Sequence, residues 1–304
     1  MKLSIVSTLY QSSSYIDEFY KRMVVVAEEI TSEYEIIFVN DGSSDDSLKQ
    51  ALNIRDANSK VRVLDLSRNF GHHRAMLAGL DFATGEYIFL IDVDLEEAPE
   101  LLDTFWEEMQ SNSNCDLVYG VQKERKGGLF EKISGAIFYR VFNLMSDIKI
   151  PRNFLTVRLM TQRYKNELIK FDERIMQFSV LSELVGFNRR CIEVTKSSKG
   201  SSTYKLSKKI TYLTDAIVSC SVKPLIWIFR IGIIITLFSL FLVIKVVFLR
   251  IFQENGVDGW ASLIVSIWLI GGILMASLGT VGIYISKIFT EVKKRPLVII
   301  KNLY

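Results

Sequence analysis

The chain has 304 residues and 34.8 kDa, room for one large domain or two smaller ones. Hydrophobic residues make up 49% and charged residues 23%, with 17 Gly and 4 Pro, which excludes disordered, collagen-like and low-complexity chains. A formal net charge of +3 is too balanced for a nucleic-acid binder, and three scattered cysteines with two histidines, His72 and His73, argue against a Cys/His zinc site or a disulfide framework.

In chain order, short apolar strands are predicted at Leu3–Thr8, Glu35–Asn40, Val61–Leu66, Tyr87–Ile91 and Leu117–Gly120. Helices are predicted at Tyr15–Ile30, Ser47–Ala57, His73–Ala83 and Pro99–Met109. This alternation predicts an α/β domain built on a parallel sheet. Ligands of such sheets bind beyond the carboxyl ends of the strands. Four polar stretches follow strands there: Thr8–Gln11, Asn40–Asp45, Ser67–Gly71 and Asp92–Glu97.

Mean hydropathy is +0.23, high for a soluble protein, and its source is local. Leu225–Ile244 carries one charge, Arg230, and Gly259–Ser286 carries none. Each run is long enough to span a bilayer. Lys205, Lys208, Lys209 and Lys223 precede the first span; Lys287, Lys293, Lys294, Arg295 and Lys301 follow the second. Positive residues at the outer ends of a hairpin predict that both termini face the cytoplasm. The chain start shows no signal-peptide pattern. The expected organisation is a cytoplasmic catalytic domain at 1–204, an amphipathic juxtamembrane segment at 205–223, transmembrane helices at 224–249 and 259–286, and a basic cytoplasmic tail at 287–304. The aromatic and basic segment 127–147 reads either as a core helix or as an interfacial one.

Three motifs can carry chemistry. In IFLIDVDLEE a strand runs into Asp92 and Asp94, then Glu96. Paired carboxylates at a strand end suit a hard cation such as Mg²⁺ or Mn²⁺ held against phosphate, although acids before Pro99 equally suit a helix start. In IIFVNDGSSD a strand ends at Asp41 in a Gly/Ser turn that admits a close ligand or simply caps the next helix. In LSRNFGHH, Arg68 can neutralise phosphate or be an ordinary surface arginine.

The ordered series TLY, NDGSSDD, LSRNFG, DVDLEE, YGVQKERKG, FYRVFN, RLM and KGSSTYKLSKK, followed by two apolar runs, resembles family 2 glycosyltransferases. Within them it is similar to the polyprenyl-phosphate sugar transferases, of dolichyl-phosphate mannose synthase or undecaprenyl-phosphate type. The resemblance implies a GT-A (Rossmann-like) nucleotide-sugar domain and inverting, metal-dependent transfer from a nucleotide sugar, a UDP-sugar, to a membrane polyprenyl phosphate. It implies that Thr8 and Tyr10 form the first nucleotide loop, Asp41 contacts the base and Arg68 lines the nucleotide pocket. Asp92 and Asp94 would hold Mg²⁺ or Mn²⁺, with Glu96 also reaching the metal. Arg158 would bind the acceptor phosphate, and Lys199, Ser202 and Tyr204 would close near the phosphates. Implied partners are the lipid bilayer, other copies of the chain through its membrane helices, and a downstream flippase, in a bacterial inner membrane.

Two departures stand out. The first loop reads Thr8-Leu-Tyr10-Gln11-Ser12 where the family has Pro-x-Tyr-Asn-Glu, and the acceptor loop has Thr156 where the family has Asp. A phosphate acceptor is already an anion and needs no base, so the second departure is compatible with a lipid phosphate. Two alternatives stay open: a membrane transferase that elongates a lipid-linked glycan, and a nucleotide-sugar-binding pseudoenzyme.

Overall fold

The structure, a computed structural model, describes residues 1–112, 114–122, 140–142, 144–145, 154–171, 178–195, 214, 217–218, 221–253 and 259–304. They divide into two compact units. The first comprises Met1–Arg140, Ile148–Tyr204 and Arg295–Tyr304; the second comprises Val141–Asp147 and Lys205–Lys294.

The first unit carries strands β1 (Leu3–Leu9), β2 (Tyr34–Asn40), β3 (Val61–Leu66), β4 (Tyr87–Leu90), β5 (Leu117–Gln122), β6 (Phe154–Thr161), β7 (Arg189–Val194) and β8 (Ile300–Leu303). Its helices are α1 (Ile16–Ile30), α2 (Ser47–Ala57), α3 (His72–Phe82), α4 (Leu101–Ser111), α5 (Gln162–Leu168) and α6 (Phe178–Leu184). The strands form one sheet in the order β7-β5-β6-β4-β1-β2-β3-β8. The five strands expected from the sequence, β1 to β5, run in one direction, and strands not expected make the sheet mixed: β6 runs antiparallel between β4 and β5, and β8 runs antiparallel to β3. Every residue of β1 and β2 is buried, as unbroken apolar runs require when helices cover both faces. On one face Phe19, Met23, Phe105 and Met109 pack against Phe38 and Phe89. On the other, Met76 and Leu80 join Tyr164, Leu168 and Leu181 over Ile37, Val39 and Leu90. Burying each such side chain contributes about 1.5–3 kcal/mol. The result is a three-layer α/β/α sandwich.

Strand order fixes where a ligand can enter. From β1 the chain winds through α1 to β2 and through α2 to β3, then returns through α3 to β4 on the other side of β1. The winding reverses between β1 and β4, and the loops there splay into a crevice at the strands' carboxyl ends.

The last residues of the chain belong to this unit. The residues 287–304 read as a tail comprise the end of a long helix and then β8, which covers the outer edge of β3. Tyr304 exchanges two backbone hydrogen bonds with Val63 at 2.9 and 3.1 Å, and the Ser67 N–H donates to the Ile299 carbonyl at 2.9 Å.

The second unit contains helices α7 (Lys223–Gln253) and α8 (Trp260–Val292). The Tyr284 hydroxyl on α8 donates to the Ser221 carbonyl just before α7, at 2.7 Å. Phe229, Ile234, Phe241, Met275, Leu278 and Val292 are each more than 60% exposed. Large exposed apolar side chains gathered in this way mark a protein- or membrane-facing surface. Among the described residues one segment, Leu269–Val292, is long and apolar enough to cross a membrane, by length and composition. Gly271, Gly272, Gly279 and Gly282 face open space rather than a packed neighbour.

Candidate active site

The four polar stretches become one connected surface at the carboxyl ends of β1, β2, β3 and β4. The loops after β1 and β2 are joined by the Asp45 carboxylate, which accepts from the Ser43 hydroxyl at 2.5 Å and from the N–H groups of Ser13 and Ser47 at 3.1 Å. Burial opposes ionisation of Asp45, but these bonds outweigh it and hold the carboxyl well below its usual range. The Gln11 N–H donates to the Ser43 hydroxyl at 2.7 Å. Gln11 sits at φ +52°, a left-handed conformation uncommon outside glycine. Ser12 turns its hydroxyl onto Tyr10, accepting from its N–H and donating to its carbonyl, both at 3.1 Å. The Tyr10 ring is 50% exposed above this turn.

The loops after β2 and β3 are joined through Asp41. Its carboxylate accepts from the Phe70 N–H at 2.7 Å and the Gly71 N–H at 3.0 Å. Burial pushes this carboxyl up, with those bonds, His72 and Arg68 acting the other way. Gly42 is what lets the two loops meet: it has φ +62°, and a Cβ there would lie 2.4 Å from the backbone of Arg68 and Asn69. Arg68 lies on the exposed rim, its guanidinium 4.2 Å from the centre of the Phe70 ring.

Asp92 and Asp94 follow β4. The Glu96 N–H donates to Asp94 at 3.0 Å, and the intervening Leu95 has φ +59°. Among the described residues no three His, Cys, Asp or Glu side chains gather as a ready-made metal cage. The expected set of Asp92, Asp94 and Glu96 is therefore not assembled in advance. Two hard carboxylates beside an open crevice still fit Mg²⁺ or Mn²⁺, which typically take one or two protein carboxylates and complete their shell with water and substrate phosphates.

Arg158 lies on β6, opposite Leu90 of β4 and Tyr119 of β5. It is 1% exposed. Its Nε donates to the Thr156 carbonyl at 2.8 Å and one Nη to the Leu155 carbonyl at 3.0 Å. The guanidinium lies 4.8 and 4.3 Å from the rings of Phe154 and Phe178. Its other nitrogen, Nη1, is buried with no hydrogen-bond partner among the described residues. Burial lowers the Arg158 pKa to about 10, with Tyr164, Glu97 and Asp92 acting the other way, so it is charged at neutral pH. Lys199, Ser202 and Tyr204 lie outside the described residues.

One residue of the crevice has no role in the sequence reading. His72, the first residue of α3, has Nδ1 3.0 Å from the Thr8 hydroxyl and Nε2 3.3 Å from an Asp92 oxygen. Its signal in the sequence was position, directly after the Arg68–Gly71 stretch.

Comparison with known proteins follows the geometry. The profile described as glycosyl transferase family 2 matches residues 4–183. A Mycobacterium tuberculosis protein described as a glycosyltransferase is 44% identical, over 100% of this chain and 89% of its own. The bactoprenol glucosyl transferase of Shigella phage SfII is 32% identical over 99% of this chain and 98% of its own. A prophage bactoprenol glucosyl transferase homolog of Escherichia coli K12 is 32% identical over 99% of both. The crystal structure of glucosyl-3-phosphoglycerate synthase from M. tuberculosis with Mn²⁺, UDP and phosphoglyceric acid superimposes with a TM-score of 0.50 at 14% identity, covering 72% of this chain and 76% of that one. That likeness is one of fold. The chain belongs to glycosyl transferase family 2 and is a glycosyltransferase.

Proposed function

We propose that the protein transfers a sugar from a UDP-sugar to the phosphate of a membrane polyprenol, with inversion at the anomeric carbon. The observation that carries the acceptor class is the surroundings of Arg158: a buried cation whose Nη1 has no hydrogen-bond partner among the described residues, and Thr156 two residues before it where a hydroxyl acceptor would call for an acid. A phosphate oxygen is already anionic, so it can attack without a base and is drawn to a fixed positive charge. The full-length similarity to bactoprenol glucosyl transferases and the Mn²⁺ and UDP held by a structural neighbour support the same reading.

The roles are those the family resemblance implies, and the placement of Thr8, Asp41, Arg68 and Asp92 at the strand ends supports them. The exposed ring of Tyr10 stacks on the base. Thr8 and Asp41 line the nucleotide's entry, and Arg68 on the rim meets its phosphates. A divalent ion held by Asp92 and Asp94 would supply positive charge to the diphosphate. Arg158, with Lys199, Ser202 and Tyr204 of the 199–209 stretch, orients the acceptor phosphate in line with the departing diphosphate. An acceptor oxygen forms the bond to the anomeric carbon as the bond to the diphosphate breaks, and the nucleoside diphosphate leaves. One displacement inverts the centre.

The chain is read as an integral membrane protein with two spans, α7 and α8, and its catalytic unit and both termini in the cytoplasm. The return of residues 300–303 to the sheet supports this reading, because a chain that leaves and rejoins one domain crosses the bilayer an even number of times.

Purified full-length protein in detergent, given labelled UDP- and GDP-sugars, polyprenyl phosphate and Mg²⁺ or Mn²⁺, tests this directly. The expected product is a labelled lipid that forms with a UDP-sugar and disappears with EDTA. A nucleotide sugar that binds while no lipid becomes labelled, with transfer appearing only on a lipid-linked glycan, would overturn the acceptor.

A further inference from the structure

We propose that His72 is a positioning residue that ties Asp92 to Thr8 across the crevice, so that the Asp92 carboxylate meets the donor diphosphate in one fixed orientation. The inference rests on the donor-site reading above and adds a residue to it.

The placement is specific. Thr8 is the penultimate residue of β1 and Asp92 follows β4, the two strands that flank the point where the winding of the sheet reverses. His72 comes from neither loop. It opens α3, the connection that carries the chain back across β1, and it reaches both sides at once, 3.0 Å to Thr8 and 3.3 Å to Asp92. The ring is 44% exposed and Asp92 23%, so the contact faces the crevice rather than the core.

The chemistry assigns the tautomer. An ionised carboxylate only accepts, so Nε2 carries the proton toward Asp92. Nδ1 of the neutral ring is then an acceptor, and the Thr8 hydroxyl donates to it. One oxygen of Asp92 is thereby engaged by a rigid ring whose backbone is fixed at a helix start. The donor-site reading brings the diphosphate and its cation to this same carboxylate. Groups that orient a ligating carboxylate in this way typically change metal affinity or activity by roughly 10–100-fold when removed.

Two near-isosteric replacements separate the two halves of the ring. In His72→Gln the side-chain amide nitrogen can take the place of Nε2 and keep the contact to Asp92. In His72→Asn the side-chain amide oxygen can fall near Nδ1 and accept from Thr8, so only that side is kept. The measurements are the UDP dissociation constant by calorimetry in Mn²⁺ and the electron paramagnetic resonance spectrum of the Mn²⁺·UDP complex, both on the full-length protein in detergent. The expected result is UDP binding by His72→Gln within about threefold of the unaltered protein, and binding by His72→Asn and His72→Ala weaker by roughly tenfold or more, with an altered Mn²⁺ spectrum.

Asp92→Asn separates the proposal from the reading beneath it. If Asp92→Asn weakens UDP binding but His72→Ala and His72→Asn do not, the positioning role is wrong and the donor site stands. If Asp92→Asn leaves UDP binding and the Mn²⁺ spectrum unchanged, the donor site itself is misplaced and the proposal falls with it. Combined with Asp92→Asn, the His72→Ala change should add little; fully additive losses would mean that His72 acts independently of Asp92.

Discussion

Replacing Gly42 by alanine tests whether the loops after β2 and β3 act as one piece. A Cβ at this position would lie 2.4 Å from the carbonyl carbon of Arg68 and 2.4 Å from the amide nitrogen of Asn69. Neither is the tip of a flexible side chain, so reaching an ordinary 3.4 Å contact means parting the loops by 3.4 − 2.4 = 1.0 Å. At least one of the bonds from Phe70 and Gly71 to Asp41, now 2.7 and 3.0 Å, would then lie beyond hydrogen-bonding reach. Left-handed backbone costs a non-glycine residue about 1–2 kcal/mol, and losing one hydrogen bond to a charged group costs about 1.5–3 kcal/mol. Together these give about 2.5–5 kcal/mol, or a fall in Tm of roughly 5–20 °C for a domain of this size. Gly71→Ala is the matched control: Gly71 has φ +99° but open space at its Cβ, so it should show the strain without the clash. Thermal unfolding of the full-length protein, with UDP calorimetry alongside, reads both effects. A Gly42→Ala protein that melts like the unaltered one and binds UDP within threefold of it would refute the interlock.

Asp94→Asn should abolish transfer, with folding unchanged by circular dichroism; undiminished turnover would remove Asp94 from the reaction. Glu35 makes acid stability a second test. Burial opposes its ionisation, but Ser4, the N–H and hydroxyl of Thr84, and Lys2 outweigh that and lower its pKa from 4.5 to about 2. The folded state thereby holds the charged form, which contributes about 3 kcal/mol above pH 4.5 and loses it as pH falls toward 2. Glu35→Gln should flatten that part of the stability profile, and an unchanged acid limb would contradict the assignment. Deleting residues 300–304 exposes the edge of β3 and removes the contact of Arg55 with the Tyr304 ring. The truncated protein should melt several degrees lower and associate more readily, as read by scattering on heating; an unaltered Tm would show that β8 is dispensable.

The strands legible in the sequence were those with the simplest burial. β1, β2, β3 and β4 are runs buried on both faces and bounded by polar turns, and hydropathy reports that directly. β7 escapes such reading because it lies at the sheet edge and most of it, from Arg189 to Cys191, is exposed. β8 escapes because four residues of a basic tail carry no periodicity, and its partner β3 lies more than 230 residues earlier. β6 escapes because Thr156 and the buried Arg158 interrupt its apolar run.

The sequence by itself placed Thr8, Asp41, Arg68, Asp92 and Asp94 at strand ends and separated an apolar carboxyl-terminal part from an α/β part, because burial and turn chemistry are local properties of a few neighbouring residues. Only the tertiary structure decided that Asp41 is spent partly on two backbone N–H groups, that Asp92, Asp94 and Glu96 form no ready-made metal cage, that Arg158 is buried with Nη1 unpartnered among the described residues, and that His72 joins Thr8 to Asp92. Thr8 and His72 are 64 residues apart. What brings them together is the order of strands in the sheet, a choice made by packing two layers of helices at once, which no local pattern records.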